Sequence, residues 1–593
     1  MSKRLLRILA AGLAAVLIIP TVWATEDEGE TPAMIRVGLA STSVHNSVGV
    51  QTAAHLQNNE GFGAGYRFGY FDEDLSFIEL ARTDDTVTEV AVLKTQNLSY
   101  GYDETQGKTT YSADIDSDVR VGCYHIQLDG EYADYDEAAA AAEENGGFVA
   151  WIDGAYQVRT GAWFTKEEAQ MALDVMESGT IVGTSSYGMS IVVTGTDRIL
   201  FQFDWGESVP LGIMPDVTEA DDVRTWFSGY KYRGGFQYQR IGGSGMTVVN
   251  VLPLEDYVKG VVCYEMGREW PLEALKAQAT CARTYAVKRT GYHKSLGFDV
   301  CNSDYCQVYR GVGSGRADYG PSETSDRAVD ETAGQVLWYG NELADTFYSS
   351  SHGGASESAK YIWGTNMQKY PYLCGVVDPY EAEAADINPR ASWTVTYTSR
   401  ELLNRLRQSG FGTNTSLDYL ELTYSELGNV VEITVHWTNG QKNSITPKLG
   451  LKSIFGVDSI RFTVNGELVN PGGASVAGSV AVNDTDELES VEGLYVISGS
   501  GEVSELSENV YVITGKGKKQ ELELTVETES GSNQGGGTVV VSGSKYVFDG
   551  SGWGHQVGLS QYGAYAMAQL GFGYDEIVEF YFPGTVVDSY ENE

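Results

Sequence analysis

The sequence predicts an α+β protein of several domains, and three stretches carry that prediction. Residues 34 to 118 alternate apolar and polar positions between frequent glycines, as in Ile35-Arg-Val-Gly-Leu and Val87-Thr-Glu-Val-Ala-Val-Leu, the period of half-buried strands. From about residue 119 the pattern becomes strand, helix, strand, strand, helix, strand. Residues 254 to 290 then read as a helical centre with strand-like sequence on both sides.

The chain begins with Lys3, Arg4 and Arg7, an apolar run over 8–19, Pro20 and Val22-Trp23-Ala24. This is the pattern of a signal peptide, residues 1–24, cleaved after Ala24. The apolar run is shorter than the roughly 20 residues that span a bilayer as a helix, so the expectation is an exported protein without a stable transmembrane anchor. Against 40 Lys and Arg stand 81 Asp and Glu, a net charge of −41. Such a field repels phosphate backbones and anionic lipid at long range. Nucleic acid is therefore excluded as a partner, and a polysaccharide fits.

After the N-terminal β-rich region, 25–118, the second stretch occupies 119–196. Residues 124–128 read as a strand, and 136–144, with a run of alanines, as a helix stopped by Asn145-Gly-Gly. Residues 148–152 and 156–160 pair around Asp153-Gly154, a strong hairpin signal. Thr165-Lys-Glu-Glu opens a second helix with a capping-box pattern. This order resembles the SPOR domain, on Tyr124-His-Ile-Gln-Leu, Tyr156-Gln-Val-Arg-Thr-Gly-Ala-Trp-Phe and Lys166-Glu-Glu-Ala. The resemblance implies binding of peptidoglycan glycan strands stripped of their peptides, with Gln127, Gln157 and Arg159 on the sheet able to bond sugar hydroxyls.

The helical centre begins at Pro253-Leu-Glu-Asp-Tyr, with acidic residues in the first turn where the helix dipole favours them. It runs to Glu265-Met and stops near Gly267; a second helix starts at Pro271 and stops at Gly291. Leu275, Ala279, Ala282 and Ala286 fall at helical spacing and form a core stripe of mostly small residues. Glu265 stands out among the carboxylates because Val261, Val262, Cys263, Tyr264 and Met266 surround it in sequence. A carboxyl among apolar groups loses hydration in its charged form, so its pKa rises and it can keep a proton to donate. By sequence alone a solvated surface glutamate is the favoured reading.

The motifs around it change that balance. Leu252-Pro-Leu-Glu-Asp-Tyr-Val-Lys-Gly-Val-Val-Cys-Tyr-Glu-Met, Glu273-Ala-Leu-Lys-Ala-Gln-Ala, Ala282-Arg-Thr-Tyr-Ala, Cys306-Gln-Val-Tyr, Ser349-Ser-Ser-His-Gly-Gly-Ala-Ser-Glu, Leu449-Gly-Leu-Lys-Ser and Ser551-Gly-Trp-Gly-His-Gln-Val-Gly-Leu-Ser-Gln-Tyr-Gly-Ala follow one another in the chain. Together they resemble the SpoIID/LytB family, which includes lytic transglycosylases of sporulation septa and amidase enhancers. The resemblance places the catalytic acid on Glu265 and implies a peptidoglycan lytic transglycosylase acting in sporulation or cell-wall remodelling. The alternative it carries is a non-catalytic wall-binding protein with a cell-wall amidase as partner. Where the family has alanine and proline, this chain has Cys263 and Gly267. The catalytic domain is expected over 197–463 and 546–593, interrupted by a β-rich insertion and Gly/Ser linker, 464–545.

Two further constellations remain. Cys301 and Cys306 form a C-x4-C pair, with His293 upstream. Two thiolates and an imidazole supply most of a tetrahedral zinc site, the leading reading, with a disulfide, credible in an exported protein, and then free thiols as the alternatives. Some members of the family bind zinc through this segment, often with a histidine directly before the second cysteine; here that position is Tyr305, so His293 is the candidate third ligand. His352 lies in a serine- and glycine-rich loop without the G-x-S-x-G elbow of a serine nucleophile, and reads as a substrate contact. In the last motif Ser560 is placed to cap a helix; it and His555, Gln556 and Gln561, at the mouth of a glycine-rich loop, are sugar-binding candidates, and packing of that loop against the helix pair is an equal reading.

Overall fold

The computed structural model describes residues 33–590 apart from 44, 47, 59–64, 177, 217–222, 316–319 and 467–536, and within the last range four short strands are described. The segment expected as a signal peptide, 1–24, the acidic stretch after it and the glycine-rich tract expected as a linker lie outside the described residues. Among the described residues no helix is long and apolar enough to cross a membrane.

The architecture is mixed α and β. A seven-stranded sheet runs, in spatial order, Val300–Cys301, Met34–Ala40, Thr247–Pro253, Gly235–Gln239, Leu211–Pro215, Tyr66–Phe71 and Phe77–Arg82. A ten-stranded sheet begins Thr180–Val182, Tyr124–Gln127, Ala155–Trp163, Phe148–Ile152 and continues through Ile199–Asp204, Met189–Val193, Glu89–Lys94 and Ala53–Asn58. Segments 25–118, 119–196 and 197–463 thus interleave through these sheets. Met34 pairs with Pro253, Val149 with Phe201, and Met189 with Lys94. Pattern changes along the chain mark local texture, whereas strand partners are set by long-range packing that texture does not record.

Within 124–182 the order is strand, α1 (Tyr135–Glu144), strand, strand, α2 (Lys166–Met176), strand. Asp153 and Gly154 both take positive φ, 50° and 84°, which suits the two-residue turn between the antiparallel strands. Thr165 and Glu168 bond each other's backbone N–H reciprocally, at 3.1 Å each, the capping box read from the sequence. The outermost strand of this unit, Phe148–Ile152, does not end the sheet; it pairs parallel with Ile199–Asp204.

The strand Thr247–Pro253 feeds directly into α3 (Leu254–Glu265), and α4 (Leu272–Lys288) packs beside it. Tyr257, Val258, Val261 and Val262 of α3 are buried against Leu275, Ala279, Ala282 and Ala286 of α4. Small alanine side chains let the helices approach closely and leave room for Arg283, which is fully buried. Its guanidinium is held by Glu255 at 2.8 and 2.6 Å and by the Gln335 and Val329 carbonyls, satisfying a charge that would otherwise be costly inside. The expected insertion bounds, 464–545, are too wide, because both ends of that range belong to sheets formed with 393–424. Thr538–Val541 pairs with Leu417–Tyr424, and Lys545–Gly550 lies between Trp393–Thr398 and Phe462–Val464.

Candidate functional site

Glu265 is the last residue of α3, where the negative end of the helix dipole also disfavours a carboxylate. Its Oε1 accepts the Val308 N–H at 2.8 Å, and the Tyr348 hydroxyl bonds the same carboxyl. Tyr348 is fixed in turn by Gln307 Nε2 at 3.2 Å, and Gln307 by the Tyr257 hydroxyl at 3.0 Å. Desolvation outweighs these two hydrogen bonds, with a smaller contribution from the Asp304 charge, and pushes the Glu265 carboxyl up to about 7. Half-buried, Glu265 faces a cavity of about 410 Å³ whose wall also carries Asp304, Tyr305, Tyr348, Trp363 and Trp553. Trp553, Tyr305 and Trp363 are 45%, 45% and 37% exposed, open enough to lay a flat ring face against a sugar. The arrangement can hold a proton near neutral pH beside a glycan-sized cleft.

His555 and Gln561 line this cavity. His555 accepts the Val557 N–H through Nδ1 at 3.0 Å and is flanked by the Trp363 and Phe347 rings. Burial lowers its pKa to about 3, so the imidazole is neutral there. Gln561 begins the helix Gln561–Gln569 and donates to Gln278 at 3.3 Å.

His352, Gln556 and Ser560 are placed otherwise, and the expectation that they touch substrate is corrected. All three are fully buried. Gln556, in the left-handed region at φ 63°, spends its amide on Ile460 N at 2.7 Å and the His352 carbonyl at 2.9 Å. Ser560 caps its helix through Gly563 N and donates to Glu381 at 2.9 Å. Around Glu381 the two glycine-rich motifs meet: its carboxylate accepts the Ser351 and Ser560 hydroxyls and the backbone N–H groups of His352 and Gly353. Among the described residues neither ring nitrogen of His352 has a hydrogen-bond partner, and burial lowers its pKa to about 3. His352, Asp378 and Glu381 bring potential metal-ligand atoms within 4.8 Å of one another. The two carboxylates, however, already accept these donors, the Tyr581 hydroxyl and the Tyr380 and Glu381 N–H groups. Small residues in these motifs serve close packing between two chain segments, Gly353 against Ser551, Gly552 against His352 and Gly554 against Ser349.

On the ten-stranded sheet, Gln127 and Arg159 are cross-strand neighbours, but Arg159 is buried. It bonds Gln157 at 3.1 and 2.7 Å, Gln202 at 2.7 Å and the Gly183 carbonyl at 3.1 Å. Arg159 and the Gln157 side-chain oxygen are therefore committed to each other and to Gln202, a buried polar row that continues to Ser190 and His125. Gln127 is partly exposed.

His293, Cys301 and Cys306 converge, all buried, with their ligand atoms within 4.8 Å. His293 Nε2 lies 3.4 Å from Cys306 Sγ; two ligands of a tetrahedral zinc with ordinary Zn–N and Zn–S bonds are about 3.6 Å apart. All six cysteines are unpaired. Tyr305 turns outward and stacks on His45 with ring centres 3.5 Å apart, so the imidazole arrives from the end of α4 instead of from that position. The sequence does not assign Tyr348, Val308, Asp304 or the cleft aromatics to the site, although Val308 and Trp553 lie inside the quoted motifs and Asp304 and Tyr305 lie between the paired cysteines.

Residues 242–339 match the SpoIID family model, described as Stage II sporulation protein. The chain is 30% identical to the amidase enhancer of Bacillus subtilis (strain 168) over 339 residues, 56% of this chain and 40% of that protein. It is 26% identical to stage II sporulation protein D of the same organism over 348 residues, covering 57% and 75%. Against stage II sporulation protein D of Bacillus amyloliquefaciens the identity is 31% over 222 residues, covering 35% and 61%. The matched region is thus well under half of the amidase enhancer's length.

Proposed function

Because this chain carries a SpoIID-family domain, we propose that it acts at the cell wall as an exported lytic transglycosylase. Its substrate is the peptidoglycan glycan strand, stripped of peptide. The observation that carries this reading is Glu265, a carboxyl pushed up to about 7 by burial beside a cleft with exposed aromatics. An acid with that pKa is well matched to proton transfer near neutrality.

In this mechanism protonated Glu265 gives its proton to the glycosidic oxygen as that bond breaks. The C6 hydroxyl of the muramic unit then bonds to the anomeric carbon and returns its proton to the Glu265 carboxylate. The product is a 1,6-anhydro sugar and the acid is regenerated. One carboxyl suffices because the nucleophile belongs to the substrate, unlike hydrolases that need two. Val308 N–H and the Tyr348 hydroxyl steady the carboxylate between the two steps.

His293, Cys301 and Cys306 would hold one zinc ion, a donor set and spacing that suit it. Bound there, zinc would supply a structural clamp. The segment it would tie down leads from Cys306 directly to Gln307 and Val308, which position Tyr348 and Glu265. Metal analysis of the protein prepared under reducing conditions should find one zinc per chain, lost in the Cys301→Ser, Cys306→Ser variant; unchanged metal content would refute the site.

The amidase-enhancer name of one relative supports a second reading, a wall-binding protein that stimulates an amidase without turnover. Digesting purified glycan strands, with and without peptides, and weighing the sugar ends separates the readings. Anhydro ends support the transglycosylase; reducing ends point to a hydrolase using water; no cleavage leaves the adaptor.

A further inference from the structure

A second cavity, of about 400 Å³, adjoins the Glu265 cavity, and Phe347 and Trp363 belong to the walls of both. Its floor is the C-terminal end of α4, Lys288 and Arg289, with Asp345, Tyr292 and Tyr370 around them. Two cations against one carboxylate make this a positive recess in a chain of net charge −41.

The two cations are used differently. Lys288 Nζ is committed to the Leu343 carbonyl and Asp345 Oδ2, both at 2.8 Å, and sits where a helix C-terminus favours positive charge. That accounts for Lys288 as a structural residue. Arg289 is partly exposed, and its only ionic contact among the described residues is Asp345 Oδ1 at 3.5 Å. Among the described residues its guanidinium donates no hydrogen bond; it lies over the rings of Tyr285 and Tyr292, 5.3 and 5.1 Å from their centres. Aromatic faces fix the plane of a guanidinium while leaving its N–H fork free, the geometry that takes a carboxylate through two parallel hydrogen bonds.

We propose that this recess is a subsite of the glycan cleft in which Arg289 binds a carboxylate carried by a sugar unit beyond the cleaved pair. The inference rests on the glycan-strand reading of the Glu265 site and adds how the strand is selected. A muramic unit freed of its peptide bears an ionised lactyl carboxylate; with the peptide attached the same carbon is a neutral amide. Arg289 therefore favours stripped strands at a distance from the bond being cut, while Tyr292 and Trp363 cover the faces of the ring.

The test uses the full chain with Glu265→Gln, so that binding is measured without turnover. Two probes are compared: amidase-stripped glycan strands, and the same strands with their carboxylates converted to amides. The stripped strands should bind about tenfold more tightly. Adding Arg289→Gln should abolish that preference and leave the amide strands unaffected, while Arg289→Lys should retain part of it. Equal weakening toward both probes, or a preference that survives Arg289→Gln, overturns the subsite. Cleavage by the parent chain is scored on the same strands. Arg289-dependent binding without cleavage overturns the enzyme reading and leaves the subsite, whereas cleavage with an unchanged preference in Arg289→Gln does the reverse. A parent chain that binds neither probe overturns both.

Discussion

Glu265 and Glu381 are two glutamates withdrawn from water in the same body, and their surroundings give them opposite characters. Glu381 accepts four donors from Ser351, His352, Gly353 and Ser560, so its charge is the centre of a packed joint between two glycine-rich segments. Glu265 has one backbone N–H and one tyrosine hydroxyl, too little to offset desolvation, and it opens on a cleft. Burial with full hydrogen bonding builds structure; burial with partial hydrogen bonding leaves a group whose proton can move.

The sharpest way to break this comparison is stability. Glu381→Ala strands several buried donors at once, each costing about 1–3 kcal/mol when unpaired, so urea unfolding should show a loss of about 3–5 kcal/mol. A loss below about 1 kcal/mol would remove Glu381 from its place as the joint. Glu265→Gln should act with the opposite sign. Its folded pKa, about 7, lies above the ordinary glutamate value of 4.5, so the stability linked to its protonated form is fully present below about 4.5 and lost as pH rises through 7. A neutral glutamine escapes that loss. The variant should be more stable than the parent by about 1–3 kcal/mol at pH 8, with no gain near pH 4; a destabilised variant at pH 8 would make Glu265 another structural carboxylate.

Smaller effects sharpen the cleft side. Trp363→Ala removes an exposed ring that both cavities share, and KM for glycan strands should rise about three- to tenfold with kcat less affected, given the worth of one ring contact. A fall confined to kcat would count against a binding role. Tyr348→Phe removes a hydrogen bond that favours the charged carboxylate. The pKa of Glu265 should climb further, moving the alkaline fall in the rate upward by about half to one pH unit; an unmoved or lowered limb would show that Tyr348 does not hold the carboxylate.

Local structure was legible where local chemistry decides it. The capping box at Thr165 and Glu168, the Asp153-Gly154 turn, the alanine stripe of α4 and the apolar setting of Glu265 all follow from residue types within a few positions of one another. The His293, Cys301 and Cys306 cluster was legible too, since soft ligands are few and closely spaced. What could not be read depends on partners far away in the chain. Nothing near Ser349-Ser-Ser-His or Gly554-His-Gln announces that Glu381 will draw both loops inward, so His352, Gln556 and Ser560 read as surface contacts. Arg159 likewise reads as a free sheet cation until Gln202, from a strand outside that unit, takes one of its amino groups. Tyr348 and Val308 reach Glu265 from 83 and 43 residues away, and a tyrosine or a backbone N–H carries no mark of such a role.

The central claim is that Glu265 is the acid that cuts the glycan, and the sugar ends report on it directly. Peptide-stripped strands digested with the parent chain should yield 1,6-anhydro muramic ends, identified by mass. Glu265→Gln, folded and still binding the strands, should yield at least about a hundredfold fewer. Anhydro ends formed by the variant at the parent's rate would contradict the account.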